Sequence, residues 1–158
     1  MSNIRVIADP HLGHRNICKY RPFDTMEEHE QHIVDEWNSV VHKRDVVYVL
    51  GDAVFDSKSL YRIGQMKGRK ILVRGNHDSL KAHEYLSVFE DVIGIIKKSG
   101  VWLSHAPIHP QELRGHFNIH GHVHNDTIPD DRYFNACIEN IGYAPVLFQD
   151  IIKILESR

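Results

Sequence analysis

Three short runs of apolar residues, each rich in β-branched side chains, constrain the fold of this chain most. They span residues 4–8, 46–50 and 70–73, and a turn containing Asp, Asn or Gly follows each of them. Apolar runs without polar alternation are typical of strands that are buried on both faces of a largely parallel sheet. We therefore expect these three runs to form parallel strands with helices between them.

The segments around these runs predict the helices. Asp24 is the expected N-cap of the first helix, with Glu27 three residues later, and apolar residues recur with a period near 3.6 as far as Val41. A second helix is predicted over residues 57–66, ended by a glycine, and a third over residues 79–90. Strands and helices therefore alternate in the first half of the chain.

The second half of the chain has a different pattern. Short apolar runs at residues 92–97, 101–104, 116–120 and 133–138 follow one another closely and indicate mostly antiparallel strands. The C-terminal segment predicts a strand remnant and a short final helix. Because the chain of 158 residues contains no repeat or flexible linker, we expect a single α/β sandwich domain over residues 1–158.

The composition argues against several classes of protein. Lys and Arg number 19 against 21 Asp and Glu, which does not give the broad positive field of a nucleic-acid-binding protein. The two cysteines, Cys18 and Cys137, stand far apart and favour a reducing compartment over a disulfide framework. We find neither a signal peptide nor an apolar stretch long enough to cross a membrane. We expect a cytoplasmic protein without membrane association, and we predict no oligomeric state.

Side chains that can bind a metal occur where the predicted strands end. The motifs are Asp9-Pro10-His11, Gly51-Asp52, Gly75-Asn76-His77-Asp78, His105 and Gly121-His122-Val123-His124. Each motif alone has an ordinary explanation as a turn or a buried histidine. Together they supply four imidazoles, two carboxylates and one amide oxygen at strand ends, where open α/β sheets bind their ligands. This donor set suits manganese, iron, nickel, cobalt or zinc better than calcium.

These five motifs resemble, in the same order, those of the calcineurin-like metallophosphoesterase superfamily: D-x-H, G-D, G-N-H-D, H and G-H-x-H. The match spans residues 9–124. Two further motifs resemble the small single-domain prokaryotic and viral members, namely Gly13-His14 and Arg21-Pro22-Phe23. Pro10 and Ala53 depart from the residues usual at their positions, and both changes bear on substrate fit. The resemblance implies an α/β sandwich of two mixed β-sheets flanked by helices.

The resemblance also implies the roles of the motif residues. Two divalent cations are expected, with manganese favoured in assays. One cation is held by Asp9, His11, Asp52 and His124, and the other by Asp52, Asn76, His105 and His122. Asp52 bridges the pair, and a hydroxide between the cations attacks phosphorus. His77 stabilises or protonates the departing oxygen, and Asp78 orients its ring.

The expected function is hydrolysis of a small phosphodiester, with nucleotides among the candidates, because the chain has little room for the caps that select large substrates. Phosphomonoester hydrolysis is the second hypothesis. A nuclease is the third, since we find no basic track with stacking aromatic residues, and nucleic acid is not an expected partner. A non-catalytic scaffold is the fourth, and the complete set of ligands with His77 argues against it.

The other histidines divide into two groups. His14 and His109 lie on loops beside the ligand turns and are predicted to contact substrate, as is Arg74, for which a surface ion pair is the alternative. Ordinary roles are predicted for the rest: solvated helix positions for His29, His32, His42 and His83, and structural roles for His116 and His120 on one strand face.

Overall fold

The computed structural model describes residues 2–158. Its strands are β1 (Ile4–Ile7), β2 (Val46–Val49), β3 (Arg69–Val73), β4 (Asp91–Ile93), β5 (Ile96–Lys98), β6 (Val101–Leu103), β7 (Phe117–His120), β8 (Tyr133–Asn135) and β9 (Val146–Leu147). Its helices are α1 (Met26–Val40), α2 (Leu60–Gln65), α3 (Ala82–Tyr85), α4 (Ile138–Ile141) and α5 (Phe148–Glu156). Short 3-10 segments occur at Ile17–Lys19, Ser57–Ser59 and Pro110–Glu112.

The strands form two sheets. The first has the order β4-β3-β2-β1-β9, in which β1 to β4 are parallel and β9 is antiparallel to β1. The second has the order β5-β6-β7-β8, in which an antiparallel β5–β6 pair is followed by two parallel pairs. Both sheets are mixed, and helices flank them. The predicted fold class is therefore confirmed.

The prediction that the second half is mostly antiparallel was wrong. A tight turn at Ser99-Gly100 joins the antiparallel strands β5 and β6. The connections from β6 to β7 and from β7 to β8 are each about a dozen residues long, which lets the chain return to the same end of the sheet and pair in parallel. The carboxyl ends of β6 and β7 consequently lie at one edge.

Three local predictions also need correction. Residues 92–97 lie in two strands rather than one, because the chain leaves the first sheet after β4 and enters the second at β5. The helix predicted over residues 79–90 is reduced to the single turn of α3. The N-cap of α1 is Thr25 instead of Asp24, and its hydroxyl accepts a hydrogen bond from the N–H of Glu28 at 3.1 Å.

The first sheet is packed on both faces, which explains why its strands consist mainly of apolar residues. On one face, Ile7 and Val49 pack with Trp37 of α1. On the other, Val6 and Tyr48 pack against the second sheet and α5. Because successive residues of a strand point to opposite faces, the apolar residues of these strands contribute to the core on both sides of the sheet. The packing fixes the carboxyl ends of β1, β2 and β3 at a common edge.

Two observations concern membrane-spanning helices and disulfide bonds. Within residues 2–158, none of the helices has the length and apolar character needed to cross a membrane. Cys18 and Cys137 are both unpaired. A cytoplasmic location and a single domain stay predictions.

The surface positions predicted for four histidines are correct for His42 and His83, which are exposed, but not for the other two. His32 is half-buried. His29 is fully buried, because α1 carries it to Arg21, whose Nη1 donates a hydrogen bond to His29 Nε2 at 2.9 Å. An imidazole nitrogen that accepts from a guanidinium carries no proton. Burial and the charge of Arg21 therefore lower the pKa of His29 to about 3.

This burial predicts a loss of stability in mild acid. In the unfolded chain the pKa of His29 returns to about 6.5, so below that pH the unfolded state takes up a proton that the folded state does not. The stabilisation is complete above pH 6.5 and is lost as the pH falls toward 3. Between pH 7 and pH 5, His29 should reduce the free energy of unfolding by about 2 kcal/mol.

Urea denaturation of the metal-free protein in chelator, at pH 7 and pH 5, measures this difference. His29→Gln should make the free energy of unfolding less dependent on pH by about that amount, about 2 kcal/mol. His83→Gln, at an exposed position of α3, is the matched control and should behave like the unmodified protein. Equal pH dependence in the two variants would contradict the assignment.

Candidate active site

The seven predicted ligands lie together at the carboxyl ends of strands from both sheets. Asp9 and His11 follow β1, Asp52 follows β2, Asn76 follows β3, His105 follows β6, and His122 and His124 follow β7. Backbone hydrogen bonds join neighbouring turns: the N–H of Asp9 donates to Gly51 O at 3.1 Å, and the N–H of Gly121 donates to His105 O at 2.8 Å. The two sheets therefore present one continuous cluster of donor atoms.

One group of donors surrounds Asp9. Nε2 of His11 is 3.3 Å from Asp9 Oδ1, and Nε2 of His124 is 3.9 Å from the same oxygen. Ligand atoms of these three residues all lie within 4.8 Å of one another. Nitrogen and oxygen atoms that share one ion at about 2.0 to 2.2 Å are separated by about 3 to 4 Å. The group therefore fits a single cation.

A second group surrounds Asn76. Its Oδ1 is 2.8 Å from His105 Nε2 and 3.0 Å from His122 Nδ1, and the two imidazole nitrogens are 3.1 Å apart. Asp52 lies between the groups, because its Oδ2 is 3.6 Å from His11 Nε2 and 3.5 Å from His105 Nε2. Asp52 thus contacts one imidazole of each group.

The backbone of the cluster is unusual. Five of the seven residues are in the left-handed region, with φ of 57° at Asp9, 54° at His11, 50° at Asp52, 73° at His122 and 51° at His124. Non-glycine residues adopt positive φ in only a few per cent of cases. Strained conformations of this kind persist where the surrounding structure enforces them, and they concentrate at functional sites. The strain is therefore evidence for the site that does not depend on the motifs.

Glycines make room for the ligands. A Cβ atom at Gly75 would collide with the side chain and backbone of Asp52, and one at Gly51 would collide with the ring of His105. These two glycines are needed for the space that they leave, and Gly51 also has a φ of 84°. The motifs G-D and G-N-H-D therefore contain glycine for a steric reason.

The electrostatics of the cluster fit divalent cations. Asp9 and Asp52 are buried, yet no Lys or Arg side chain of residues 2–158 forms an ion pair with either carboxylate. Burial would raise the pKa of Asp52, but contacts with His11 and His105 and a hydrogen bond from the N–H of His77 lower it below its usual value. Buried carboxylates that face imidazoles and no fixed cation are typical of metal sites.

His77 lies beside the cluster with its side chain exposed. Its backbone N–H donates to Asp52 Oδ1 at 2.8 Å, and its ring stacks on Phe55 with centroids 4.9 Å apart. Asp78 does not orient this ring, contrary to the sequence prediction. Its buried carboxylate accepts from the backbone N–H groups of Asp52, Ala53 and Gly75 at 2.8 to 2.9 Å. Asp78 therefore holds the two ligand turns together.

Glu139 and Arg21 contribute contacts that sequence reasoning missed. Glu139 Oε1 accepts from His124 Nδ1 at 3.0 Å and from Arg21 Nη2 at 2.7 Å, and Arg21 Nη2 also donates to the backbone oxygen of Asp9 at 2.7 Å. Burial would raise the pKa of Glu139, but His124 and Arg21 lower it to about 2. Arg21 belongs to the motif Arg21-Pro22-Phe23, for which the sequence predicted no role. Glu139 lies in no recognisable motif, so no sequence signal could have identified it.

Cys137 is also close to the cluster. Its Sγ donates to Asp9 Oδ2 at 3.2 Å. Burial and the nearby charge of Asp9 raise the pKa of the thiol, so that it stays protonated. Cys137 therefore supports Asp9 as a hydrogen-bond donor.

The three predicted substrate contacts have different surroundings. His14 is half-buried, its Nδ1 is 3.4 Å from His11 Nδ1, and burial with the nearby histidines lowers its pKa. Arg74 forms no ion pair with any residue of 2–158, and it donates to the backbone oxygens of Asp78 and Leu80 at 2.8 and 2.7 Å. His109 is exposed, and its Nδ1 accepts a hydrogen bond from the N–H of Gln111 at 3.3 Å.

Comparison with known families agrees with this geometry. A family model of calcineurin-like phosphoesterases matches residues 2–152, nearly the whole chain. The chain belongs to this family. The superfamily resemblance given by the five motifs is therefore confirmed, and this calcineurin-like phosphoesterase is a metal-binding hydrolase of phosphoric esters.

Three relatives support the assignment. An uncharacterized protein of Methanocaldococcus jannaschii is 31% identical over 173 aligned positions, which cover 99% of this chain and 93% of the relative. The Gene 66 protein of Mycobacterium phage L5 is 34% identical over 81% of this chain and 80% of its own length. A crystal structure of a protein of unknown function from Aquifex aeolicus matches with a TM-score of 0.76 at 28% identity, covering 98% of this chain and all of the other. Archaeal, viral and bacterial relatives thus align with most of this calcineurin-like phosphoesterase.

The Glu139 contact predicts an effect on metal affinity. A carboxylate that accepts from the second nitrogen of a metal-binding imidazole fixes its tautomer and raises its basicity. Glu139→Gln should keep the shape but remove the charge, and it should weaken metal binding on the order of tenfold. Titration of the metal-free protein with Mn²⁺ in isothermal calorimetry measures this.

Glu112→Gln is the matched control, because Glu112 is exposed and pairs with Arg114 away from the cluster. Thermal unfolding of both metal-free variants checks that the fold is intact. Unchanged Mn²⁺ affinity in a folded Glu139→Gln protein would rule out this role.

Proposed function

We propose that this calcineurin-like phosphoesterase hydrolyses a small phosphodiester at a centre of two divalent cations, with manganese favoured and iron, nickel, cobalt or zinc compatible with the donors. One cation is assigned to Asp9, His11, Asp52 and His124, and the other to Asp52, Asn76, His105 and His122. The contacts of Asp52 with an imidazole from each group support its role as the bridge. When bound, such a pair of cations activates water and stabilises charge on the phosphate.

The preference for a diester is based on two clefts that flank the cluster. The first is bordered by His11, His77 and His124, and the second by Asn76, His105 and His122. A phosphodiester has two organic groups on one phosphorus atom, and a phosphate positioned at the cluster would direct one group into each cleft. A monoester would use one cleft alone.

His77 is proposed to donate a proton to the departing oxygen. Its hydrogen bond to Asp52 uses the backbone N–H, its imidazole makes no hydrogen bond to residues 2–158, and the ring borders the first cleft. A side chain that is near the reacting centre without being a ligand suits general acid catalysis. The leaving group is therefore assigned to the first cleft.

The alternatives differ in what they require. A phosphatase remains the second hypothesis. A nuclease needs cationic side chains along a track, and the described residues that border the two clefts include a single Lys or Arg, namely Arg74. A scaffold would have no need for five residues in left-handed conformations around a set of metal donors. We therefore keep a small diester as the substrate.

The preference can be measured with two synthetic esters. We expect the Mn²⁺-loaded protein to hydrolyse bis-p-nitrophenyl phosphate with a higher kcat/KM than p-nitrophenyl phosphate, and excess chelator should abolish both activities. A higher value for the monoester would favour the phosphatase. If calorimetry shows that Mn²⁺ binds but neither ester is hydrolysed, the result would favour the non-catalytic scaffold.

The role of His77 predicts a variant that separates binding from turnover. His77→Ala should keep Mn²⁺ affinity and lose on the order of 10² in kcat with an alkyl ester, whose leaving alkoxide needs a proton. The loss should be smaller with a p-nitrophenyl ester, because its phenolate leaves without one. His83→Ala is the exposed control. A weakened metal affinity in His77→Ala would instead make His77 a ligand.

A further inference from the structure

A stack of four aromatic rings extends from the metal cluster to the protein surface. His77 stacks on Phe55 at 4.9 Å and 23°, Phe55 on His14 at 4.5 Å and 6°, and His14 on Tyr20 at 6.2 Å and 20°. The three consecutive pairs are close to parallel, so they form a continuous array. One end of the array is His77, the proposed general acid beside the cluster, and the other end is Tyr20.

Tyr20, at the end of the stack away from the cluster, is exposed to solvent. Tyr20 is 72% exposed, more than any other large apolar side chain in residues 2–158. Aromatic residues at a surface are not unusual by themselves. Tyr20, however, ends a stack of rings and borders the cleft that contains His11 and His124. Its position therefore suits contact with a molecule whose phosphate lies at the cluster.

The first cleft has the size and chemistry for one planar group. Its volume is about 350 Å³, near the lower end of the range for small-molecule sites. Ile17 and Tyr20 give it an apolar wall, and the exposed amide of Asn125 offers a donor and an acceptor at its border. No Lys or Arg of the described chain borders it, so it has no permanent cation for further phosphates.

We propose that this cleft binds the nucleobase of a single nucleoside that is released from the phosphodiester, with the base stacked on Tyr20. The proposal rests on the proposed function and specifies its leaving group. Bases have a π-face that stacks on aromatic side chains whatever their identity, and their polar edges match the amide of Asn125. The lack of cationic side chains favours one nucleoside over a polynucleotide.

The reaction balances as a hydrolysis. The oxygen of water forms a bond to phosphorus, and the bond from phosphorus to the nucleoside oxygen breaks with its electron pair on that oxygen. His77 supplies the proton that completes the nucleoside hydroxyl. One proton of the water restores His77, and the other stays with the phosphate monoester.

Two diesters that differ only in the base test the proposal. One is a methyl ester of a nucleoside 5′-phosphate, and the other is the same methyl ribose phosphate diester without a base. Hydrolysis by the Mn²⁺-loaded protein is followed by ³¹P NMR. We expect KM to be lower for the nucleoside diester, on the order of tenfold, with similar kcat.

Variants of the stack separate binding from folding. Tyr20→Ala should raise KM for the nucleoside diester to that of the diester without a base, and Tyr20→Phe should keep the low KM. Tyr61→Ala is the matched control, because Tyr61 is 56% exposed on α2 and lies outside the residues that border the cleft. It should change neither KM.

A binding measurement without metal distinguishes a failure of the base site from a failure of the proposed phosphodiesterase activity. Titration of the metal-free protein with a free nucleoside should shift the NMR signals of the Tyr20 ring and leave those of Tyr61 unchanged. Hydrolysis of both diesters with equal KM, unaffected by Tyr20→Ala, would overturn the nucleoside site and leave the phosphodiesterase standing. Shifts at Tyr20 with no hydrolysis of either diester would support the base site and overturn the proposed function.

Discussion

The carboxylates of Asp9 and Asp52 are buried in the interior of the protein, and removal of an ionised carboxylate from water is costly unless it is paired. Here the partners are imidazoles, backbone N–H groups and a thiol, instead of a Lys or Arg side chain. Such an arrangement leaves the negative charge incompletely balanced. The rest of the site follows from this condition, because a divalent cation is the natural compensation and the surrounding backbone is built to keep its donors close together.

The backbone around the cluster is held by interactions that do not involve a ligand atom. Asp78 accepts three backbone hydrogen bonds from the turns after β2 and β3, and Arg21 donates to the backbone oxygens of Asp9 and Pro10 after β1. These contacts help to stabilise left-handed conformations at Asp9 and Asp52, which are unfavourable for residues with a Cβ atom. Two charged residues thereby act on the shape of the site, even though neither is a predicted metal ligand.

The sequence predicted the first three strands and the positions of the ligand motifs because these depend on local pattern: apolar runs and the turns that end them. It failed where the outcome depends on distant partners. The parallel pairing of β6 to β8 is set by the length of the connections and by the neighbouring sheet. The burial of His29 is set by Arg21, and Glu139 becomes relevant only when α4 packs beside His124. The charged neighbours of His29 on α1 predict a surface position, so its burial cannot be derived from the local sequence.

His77 and His124 illustrate how one fold gives two imidazoles different properties. His124 Nδ1 is bound to Glu139 Oε1, which directs its other nitrogen toward Asp9 and suits it to hold a cation. His77 is attached to Asp52 through its backbone alone, so neither ring nitrogen is committed to the cluster. Its ring is positioned by stacking on Phe55, an interaction that holds the plane without taking up a nitrogen. An imidazole held in this way fits the proposed proton transfer to a leaving group, whereas the contact of His124 with Glu139 fits the proposed role of a metal ligand.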